Sequence, residues 1–184
     1  MIDFVFNKEL AILAKKYGFE KIHCVNLIEA NDANDLKKKI AKNEGLVVVK
    51  ANKPILRSLF ENKRVDIIIG LEYLEDKDDL HYRKSGLDYV LCNLANKNCI
   101  SIGFSFSDFL DAVDKSKVIG RMMQNAMLCR KYKVNVVVAS FATDRYDMRI
   151  AKDLEAFARV IGIDKFDNTK VFKLKESNDI KVIE

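Results

Sequence analysis

The residues best suited to chemistry in this sequence are basic, and its arginines are unevenly placed. Five of the eight arginines fall between residues 83 and 149. A guanidinium binds phosphate through two parallel hydrogen bonds and stacks on bases, so its placement is more informative than that of the 24 lysines. The pair Arg83-Lys84 stands directly before a predicted helix. This distribution indicates contact with an anion, and a solvated surface is the alternative.

A predicted helix over residues 118–133 places three polar side chains beside its apolar face. They are Arg121, Gln124 and Asn125, which lie three or four positions apart along the helix. A guanidinium next to two amides can hold a phosphate, a base edge or another segment of backbone. The alternative is a hydrogen-bond network that fixes a neighbouring loop or a partner chain, and the sequence leaves both open.

The segment ATDRYDMRIAKDL leads from an apolar strand into the last clear helix. Its candidate anion-binding residues are Arg145, Tyr146, Arg149 and Lys152. Backbone N–H groups at the start of a helix favour anions, and basic side chains strengthen that preference. In the alternative interpretation, Asp144 and Asp147 neutralise the arginines locally.

No motif of a familiar catalytic or metal site is present. The seven glycines are isolated, without a dinucleotide-binding, Walker or G-x-S-x-G pattern. The two histidines lie far apart, and the four cysteines form no C-x-x-C pair. Asp3 and Asp66 at strand edges are carboxylates that Mg²⁺ could use, but a cap or a salt bridge is favoured for both. We predict no catalytic residue and no metal or cofactor bound by the chain itself.

Strand-like and helix-like segments alternate along the chain, which predicts an α/β protein with a parallel sheet. Short apolar runs predict six strands, within residues 3–6, 20–25, 45–50, 65–70, 99–104 and 134–140, and a weak seventh lies in residues 169–175. An open doubly wound sheet and a closed barrel both fit, but 184 residues are too few for a complete eight-unit barrel. Either architecture places functional residues after the carboxyl ends of the strands.

Length, composition and charge limit the number of domains and the classes of protein to which the chain can belong. The length of 184 residues predicts one domain over residues 1–184. No apolar run is long enough to cross a bilayer and the first residues do not resemble a signal peptide, so we expect a cytoplasmic protein. The net charge is +5. Residues 115–152 hold nine basic residues against two acids, whereas residues 71–80 hold five acids and one lysine.

Four ordered blocks carry a family resemblance. RKSGLDYVLCNLANKN, ISIGFSFSDFL, IGRMMQNAMLCRKYKVNVVVASFA and MRIAKDLEAFARVIG resemble the ribonuclease P protein component 3 family, the archaeal relatives of the thirty-kilodalton eukaryotic subunit. The likeness is strongest over residues 83–162. It implies a reduced, irregular TIM-like α/β barrel similar to the polymerase-and-histidinol-phosphatase barrels.

The resemblance also implies a role. Members of the family are protein subunits of ribonuclease P, in which the RNA removes the 5′ leader from precursor tRNA. The expected partners are that RNA and component 2, often in a heterotetramer, with Mg²⁺ held by the RNA. Related phosphoesterase barrels need H-x-H at the end of the first strand, where this chain reads DFVFN. A metal-dependent phosphoesterase on the same barrel is the alternative function.

The resemblance assigns roles to particular residues. It implies RNA contacts at Arg83, Lys84, Lys97, Lys131, Arg149 and Lys152. It leaves RNA or component 2 as the partner of Arg121, Gln124, Asn125, Arg145 and Tyr146. Two departures weaken one assignment, because the family often has a proline where this chain has Ile150-Ala151 and commonly has arginine at the position of Lys152.

Overall fold

The computed structural model of the protein describes residues 1–175. Within them the chain alternates between strands and helices. The strands are β1 (Ile2–Val5), β2 (Lys21–Cys24), β3 (Asn26–Ile28), β4 (Val47–Lys50), β5 (Ile67–Ile69), β6 (Ser101–Ser105) and β7 (Val136–Ala139). The helices are α1 (Ala33–Lys42), α2 (Leu56–Glu61), α3 (Tyr89–Lys97), α4 (Phe106–Asp111), α5 (Lys115–Lys131) and α6 (Ala151–Val160). The predicted parallel α/β architecture is confirmed.

Every strand pairing is parallel, and the pairings run round a ring. β1 pairs with β2, and the sheet β3-β4-β5-β6-β7 follows in sequence order. β3 begins two residues after β2 ends, so one stretch of chain is shared by both sheets. On the other side, Val5 bridges to Ala142 just beyond β7, and the Phe141 N–H donates to the Phe4 carbonyl. The ring has fewer strands than a complete eight-stranded barrel.

Apolar side chains fill both faces of the strands, which is why the runs are continuous rather than alternating. An inner cluster includes Phe4, Val48, Ile69 and Phe141. A larger outer cluster packs the other strand face against the helices. Asn168 closes the amino end of the ring because its Nδ2 donates to the carbonyls of Ile2 and Val138, at 3.0 and 2.8 Å.

One local expectation was wrong, and one short strand was not predicted. Residues 170–175, expected as a weak seventh strand, are helical. The strand expected over residues 20–25 is present as β2, but the short strand β3 that follows it was not expected. In each case a tertiary contact or local geometry outweighs propensity. No helix within residues 1–175 is both long and apolar enough to span a membrane.

Candidate nucleic-acid interface

The long loop between β5 and α3 is held in place by one buried arginine of α5. The Arg121 side chain is only 1% exposed. Its Nη1 donates to the carbonyls of Glu72 and Glu75, at 2.8 and 2.6 Å. Its Nε and Nη2 lie 2.8 and 2.7 Å from Oδ1 of Asp78. The guanidinium thus joins three points of an acidic loop, whose charge it partly neutralises.

The two amides that share a flank with this arginine hold the next part of the loop. Gln124 Nε2 donates to the Arg83 carbonyl at 2.9 Å, and Asn125 Nδ2 donates to the Ser85 carbonyl at 2.9 Å. Arg121 and Asn125 are buried, and Gln124 is half-buried. The geometry therefore matches the expectation of a network that fixes a neighbouring loop. A contact of these three residues with RNA or component 2 stays a prediction.

Arg83 emerges from this fixed loop and lies across α5. A Cβ atom placed on Gly120 would come within 2.7 Å of Arg83 Nε and 3.2 Å of its Cζ. Glycine therefore leaves the space in which the guanidinium is seated against the helix. The backbone of Arg83 is tied to Gln124 and its side chain is exposed, so the charge is held at one place on the surface. No signal in the sequence indicates this role of Gly120, because an isolated helical glycine matches no motif.

We expect Gly120→Ala to separate stability from RNA affinity. Alanine inside a helix is favoured over glycine by about 1 kcal/mol, and the clashing atoms belong to a flexible side chain that can move. The free energy of unfolding should stay equal or rise, while the affinity for RNA falls by about threefold to tenfold, the scale of one charge-assisted contact. Urea unfolding and filter binding measure the two quantities.

The double variant Gly120→Ala/Arg83→Ala is the control for that prediction. If Gly120 acts through Arg83, its substitution should change RNA affinity little once Arg83 is already alanine. If Gly120→Ala reduced RNA affinity equally with Arg83 present and with Arg83 replaced by alanine, Gly120 would not act by positioning Arg83.

Lys84 is adjacent in sequence but is already paired. Its Nζ lies 2.8 Å from Oδ1 of Asp79, and this hydrogen bond raises the pKa of the amine. Its backbone N–H donates to Asp78 at 2.9 Å. A phosphate bound here would compete with Asp79 for a half-exposed ammonium group.

Lys97 and Lys131 lie at the other end of the same pair of helices. They are the last residues of α3 and α5, and both are exposed. Asn96 joins the two helix ends by donating to the Tyr132 carbonyl at 2.8 Å. Eleven residues of helix separate Gly120 from Lys131, which corresponds to about 16 Å. Arg83, Lys84, Lys97 and Lys131 thus belong to one two-helix face, which we call the α3–α5 surface.

The other predicted basic residues form a separate group after β7. Arg149 Nη1 donates to the carbonyls of Tyr146 and Met148, at 2.8 and 2.7 Å, and its Cζ lies 5.4 Å from the centre of the Phe106 ring. Arg145 lies 5.4 Å from the centre of the Tyr146 ring, and both side chains are exposed. Lys152 is exposed in the first turn of α6. This group lies at the carboxyl end of the strands, whereas Lys97 and Lys131 lie at the amino end.

Asp3, the candidate ligand of the phosphoesterase alternative, has a structural position. It is fully buried, and its carboxylate accepts from Ser140 N–H at 2.7 Å and from Ser140 Oγ at 2.6 Å, which ties β1 to the end of β7. Burial raises its pKa to about 6, although the bonds from Ser140 oppose the shift. Asp66 accepts from the Val47 N–H and pairs with Lys175 at 3.0 Å. Among residues 1–175, no group of three or more His, Cys, Asp or Glu side chains is arranged to hold a metal ion.

The buried carboxyl group of Glu72 should make the free energy of unfolding depend on pH. Glu72 is buried under the loop, and burial raises its pKa from 4.5 to about 8. The folded chain therefore keeps a proton that the unfolded chain releases, so stability should fall as the pH rises from about 4.5 to 8. One pKa unit corresponds to about 1.4 kcal/mol, so the loss is roughly 5 kcal/mol. Urea unfolding between pH 4.5 and 9 should show a flatter profile for Glu72→Gln and an unchanged one for exposed Glu44→Gln.

Comparisons with known proteins agree with this architecture. A family model described as RNase P subunit p30 matches residues 11–176. Ribonuclease P protein component 3 of Methanococcus vannielii is 28% identical over 165 residues, covering 85% of this chain and 68% of the relative. Its counterpart from Archaeoglobus fulgidus is 27% identical over 164 residues, covering 87% and 74%.

A solved structure shows the same fold. A chain in the cryo-EM structure of archaeal ribonuclease P with mature tRNA matches with a TM-score of 0.67 and 19% identity, over 100% of this chain and 83% of that one. The resemblance carried by the four sequence blocks is thereby confirmed. Because the family model matches nearly the whole chain, the chain belongs to the ribonuclease P subunit p30 family.

Proposed function

We propose that the chain is a protein subunit of ribonuclease P that binds the catalytic RNA through the α3–α5 surface. The RNA would remove the 5′ leader from precursor tRNA, and the chain itself would supply no catalytic group. The observation that carries this proposal is the seating of Arg83, whose backbone is bonded to α5 and whose guanidinium lies across Gly120. A cation fixed in this way loses little conformational freedom when it meets a phosphate.

The remaining predicted residues extend this surface. Lys131 lies about 16 Å along α5 from Gly120, where Arg83 is seated, a spacing that lets one bound RNA meet both ends of the surface. Arg145, Tyr146, Arg149 and Lys152 would contact RNA or a protein partner at the carboxyl end of the strands. Phosphate contacts position RNA without reading its sequence, so this surface would recognise the shape of the folded RNA.

Component 2 is the proposed protein partner, in a heterotetramer of two copies of each chain. The support comes from apolar residues exposed on the same helices. Met123 and Met127 of α5 are 48% and 54% exposed, and Tyr89 and Val90 of α3 are also exposed. Methionine and tyrosine are enriched in protein interfaces. Together the two proteins would help the RNA fold and hold Mg²⁺, which is the metal expected in the complex.

Cleavage of precursor tRNA by the cognate RNA, measured across Mg²⁺ concentrations, tests the proposal. Adding the chain with component 2 should lower the Mg²⁺ concentration needed for cleavage, because bound cations offset phosphate repulsion. Alanine at all four residues of the α3–α5 surface should remove that effect. Alanine at four exposed lysines elsewhere, Lys15, Lys16, Lys37 and Lys38, is the charge-matched control and should preserve it. An unchanged Mg²⁺ requirement, or metal-stimulated phosphoester hydrolysis by the chain alone, would overturn the proposal.

A further inference from the structure

An acidic cavity lies at the carboxyl ends of β4, β5 and β6, apart from the α3–α5 surface. Its volume is about 630 Å³, and its lining includes Lys50, Glu72, Asp108, Asp111 and Arg121. Functional sites of α/β barrels gather at this end of the strands. None of the four basic residues of the α3–α5 surface lines the cavity, which we call the carboxyl-end pocket.

Two carboxyl groups of the pocket have an oxygen atom without a hydrogen-bond partner. They are Oε1 of Glu72 and Oδ2 of Asp108, and both atoms are buried. Glu72 as a whole is only 1% exposed. A buried polar atom without a partner destabilises the folded chain, and it does so more strongly when the group is charged. Such atoms are rare in native proteins and call for a specific explanation.

The local charge identifies the kind of ligand that would supply the missing partners. Six carboxyl groups and three basic groups line the pocket, whereas the whole chain carries a net charge of +5. Neighbouring acids act on both carboxyl groups. The charge of Asp108 contributes to the raised pKa of Glu72, and the charge of Asp111 contributes to the raised pKa of Asp108. Phosphate would be repelled here, so the pocket favours a cation.

The size and donor set favour an organic cation over a metal ion. Mg²⁺ and Ca²⁺ take six or more oxygen ligands, some of them water, but no group of three or more His, Cys, Asp or Glu side chains within residues 1–175 is arranged to hold a metal ion. A cavity of about 630 Å³ also has room for a group of many atoms. An ammonium group carries three N–H donors and a guanidinium carries five, so either one has enough donors for both carboxyls.

We propose that the carboxyl-end pocket binds an ammonium or guanidinium group, with Glu72 Oε1 and Asp108 Oδ2 as acceptors. The cation is carried by a free polyamine or by the basic side chain of a bound protein, which offer the same chemistry. Arg121 would orient the site, since it fixes the Glu72 carbonyl and carries positive charge beside the carboxyl. Binding of a cation at this pocket requires no RNA, so it can be tested independently of the function proposed above.

Calorimetric titration of the full-length chain with spermidine, with argininamide and with MgCl₂ tests this inference. At pH 8.5 at least one of the two organic cations should bind. Glu72→Gln and Asp108→Asn should each weaken that binding by about tenfold, the effect of losing one charge-assisted hydrogen bond. Glu44→Gln removes the same charge from an exposed position outside the pocket and should leave the affinity unchanged. Urea unfolding shows whether each variant is folded. If one of the two pocket variants does not fold, the other still tests the inference.

The outcomes distinguish the sources. Tighter binding of spermidine indicates a free polyamine, and tighter binding of argininamide indicates a side chain of a bound protein. Two results would overturn the inference. In the first, both pocket variants bind the organic cations as the Glu44→Gln control does. In the second, Mg²⁺ binds with a dependence on Glu72 and Asp108 that the organic cations lack.

Discussion

Replacement of Arg121 by alanine is expected to cost about 3–5 kcal/mol of the free energy of unfolding, because it removes a buried guanidinium that serves two carbonyls and one carboxylate. The carbonyls of Glu72 and Glu75 lose their donor, and Asp78 loses its counter-charge. The loop that carries Arg83 should then be released. Urea unfolding measures the loss, and hydrogen exchange of the amides in residues 76–88 should rise by more than the exchange of β6.

Two variants define the cause of that loss. Arg121→Lys keeps the charge but cannot reach three acceptors in one plane, so most of the loss should persist. Arg57→Ala breaks an ion pair of the same type, with Glu61, but its side chain is 78% exposed and the loss should be about 0.5 kcal/mol or less. Equal losses at positions 121 and 57 would contradict the central place of Arg121 in the loop.

Gly86→Ala is expected to be comparably damaging, for a backbone reason. Gly86 has φ of +78°, and a Cβ atom there would lie 2.2 Å from the Leu71 carbonyl oxygen. A left-handed conformation costs a non-glycine residue about 1–2 kcal/mol, and displacing the backbone adds a cost like that of overpacking, about 1–3 kcal/mol. We expect a total loss of about 2–5 kcal/mol by urea unfolding, together with weaker RNA binding as Arg83 shifts.

Gly162→Ala is the matched control for Gly86→Ala. Gly162 has φ of +88°, but a Cβ atom there meets nothing within 4 Å. Its substitution should therefore cost only the conformational part, about 1–2 kcal/mol. The difference between the two variants reports the close approach of the loop to Leu71. If both glycine variants lose the same stability, that contact does not position the loop.

The layout of the fold was largely readable from sequence because its signals are local. Continuous runs such as VVV and III require burial on both faces, and β4, β5 and β7 lie where those runs predict them. The errors arise where long-range contacts decide. The β2–β3 break depends on two different pairing partners, and the helix at residues 170–175 packs Val171 against the inner core. No window of the sequence contains those contacts.

The site was only partly predictable, for the same reason. The sequence indicated that Arg121, Gln124 and Asn125 act together, since their spacing sets one helix flank. It did not indicate that their acceptors are loop carbonyls about 40 residues earlier. The seat that Gly120 provides for Arg83 depends on two segments meeting in space, and so does the lining of one cavity by both Glu72 and Asp108. Charge and helical spacing identify candidate site residues in the sequence, whereas tertiary contacts decide which of those residues stay exposed.

The salt dependence of binding to ribonuclease P RNA tests the central claim most directly. Each phosphate contact contributes about 0.7–0.9 to the slope of log K against log salt concentration. Alanine at Arg83, Lys84, Lys97 and Lys131 should therefore reduce the magnitude of that slope by about 3, while the four-lysine control variant leaves it nearly unchanged. A slope that is the same for the α3–α5 variant and the wild type would contradict the assignment of this surface to RNA.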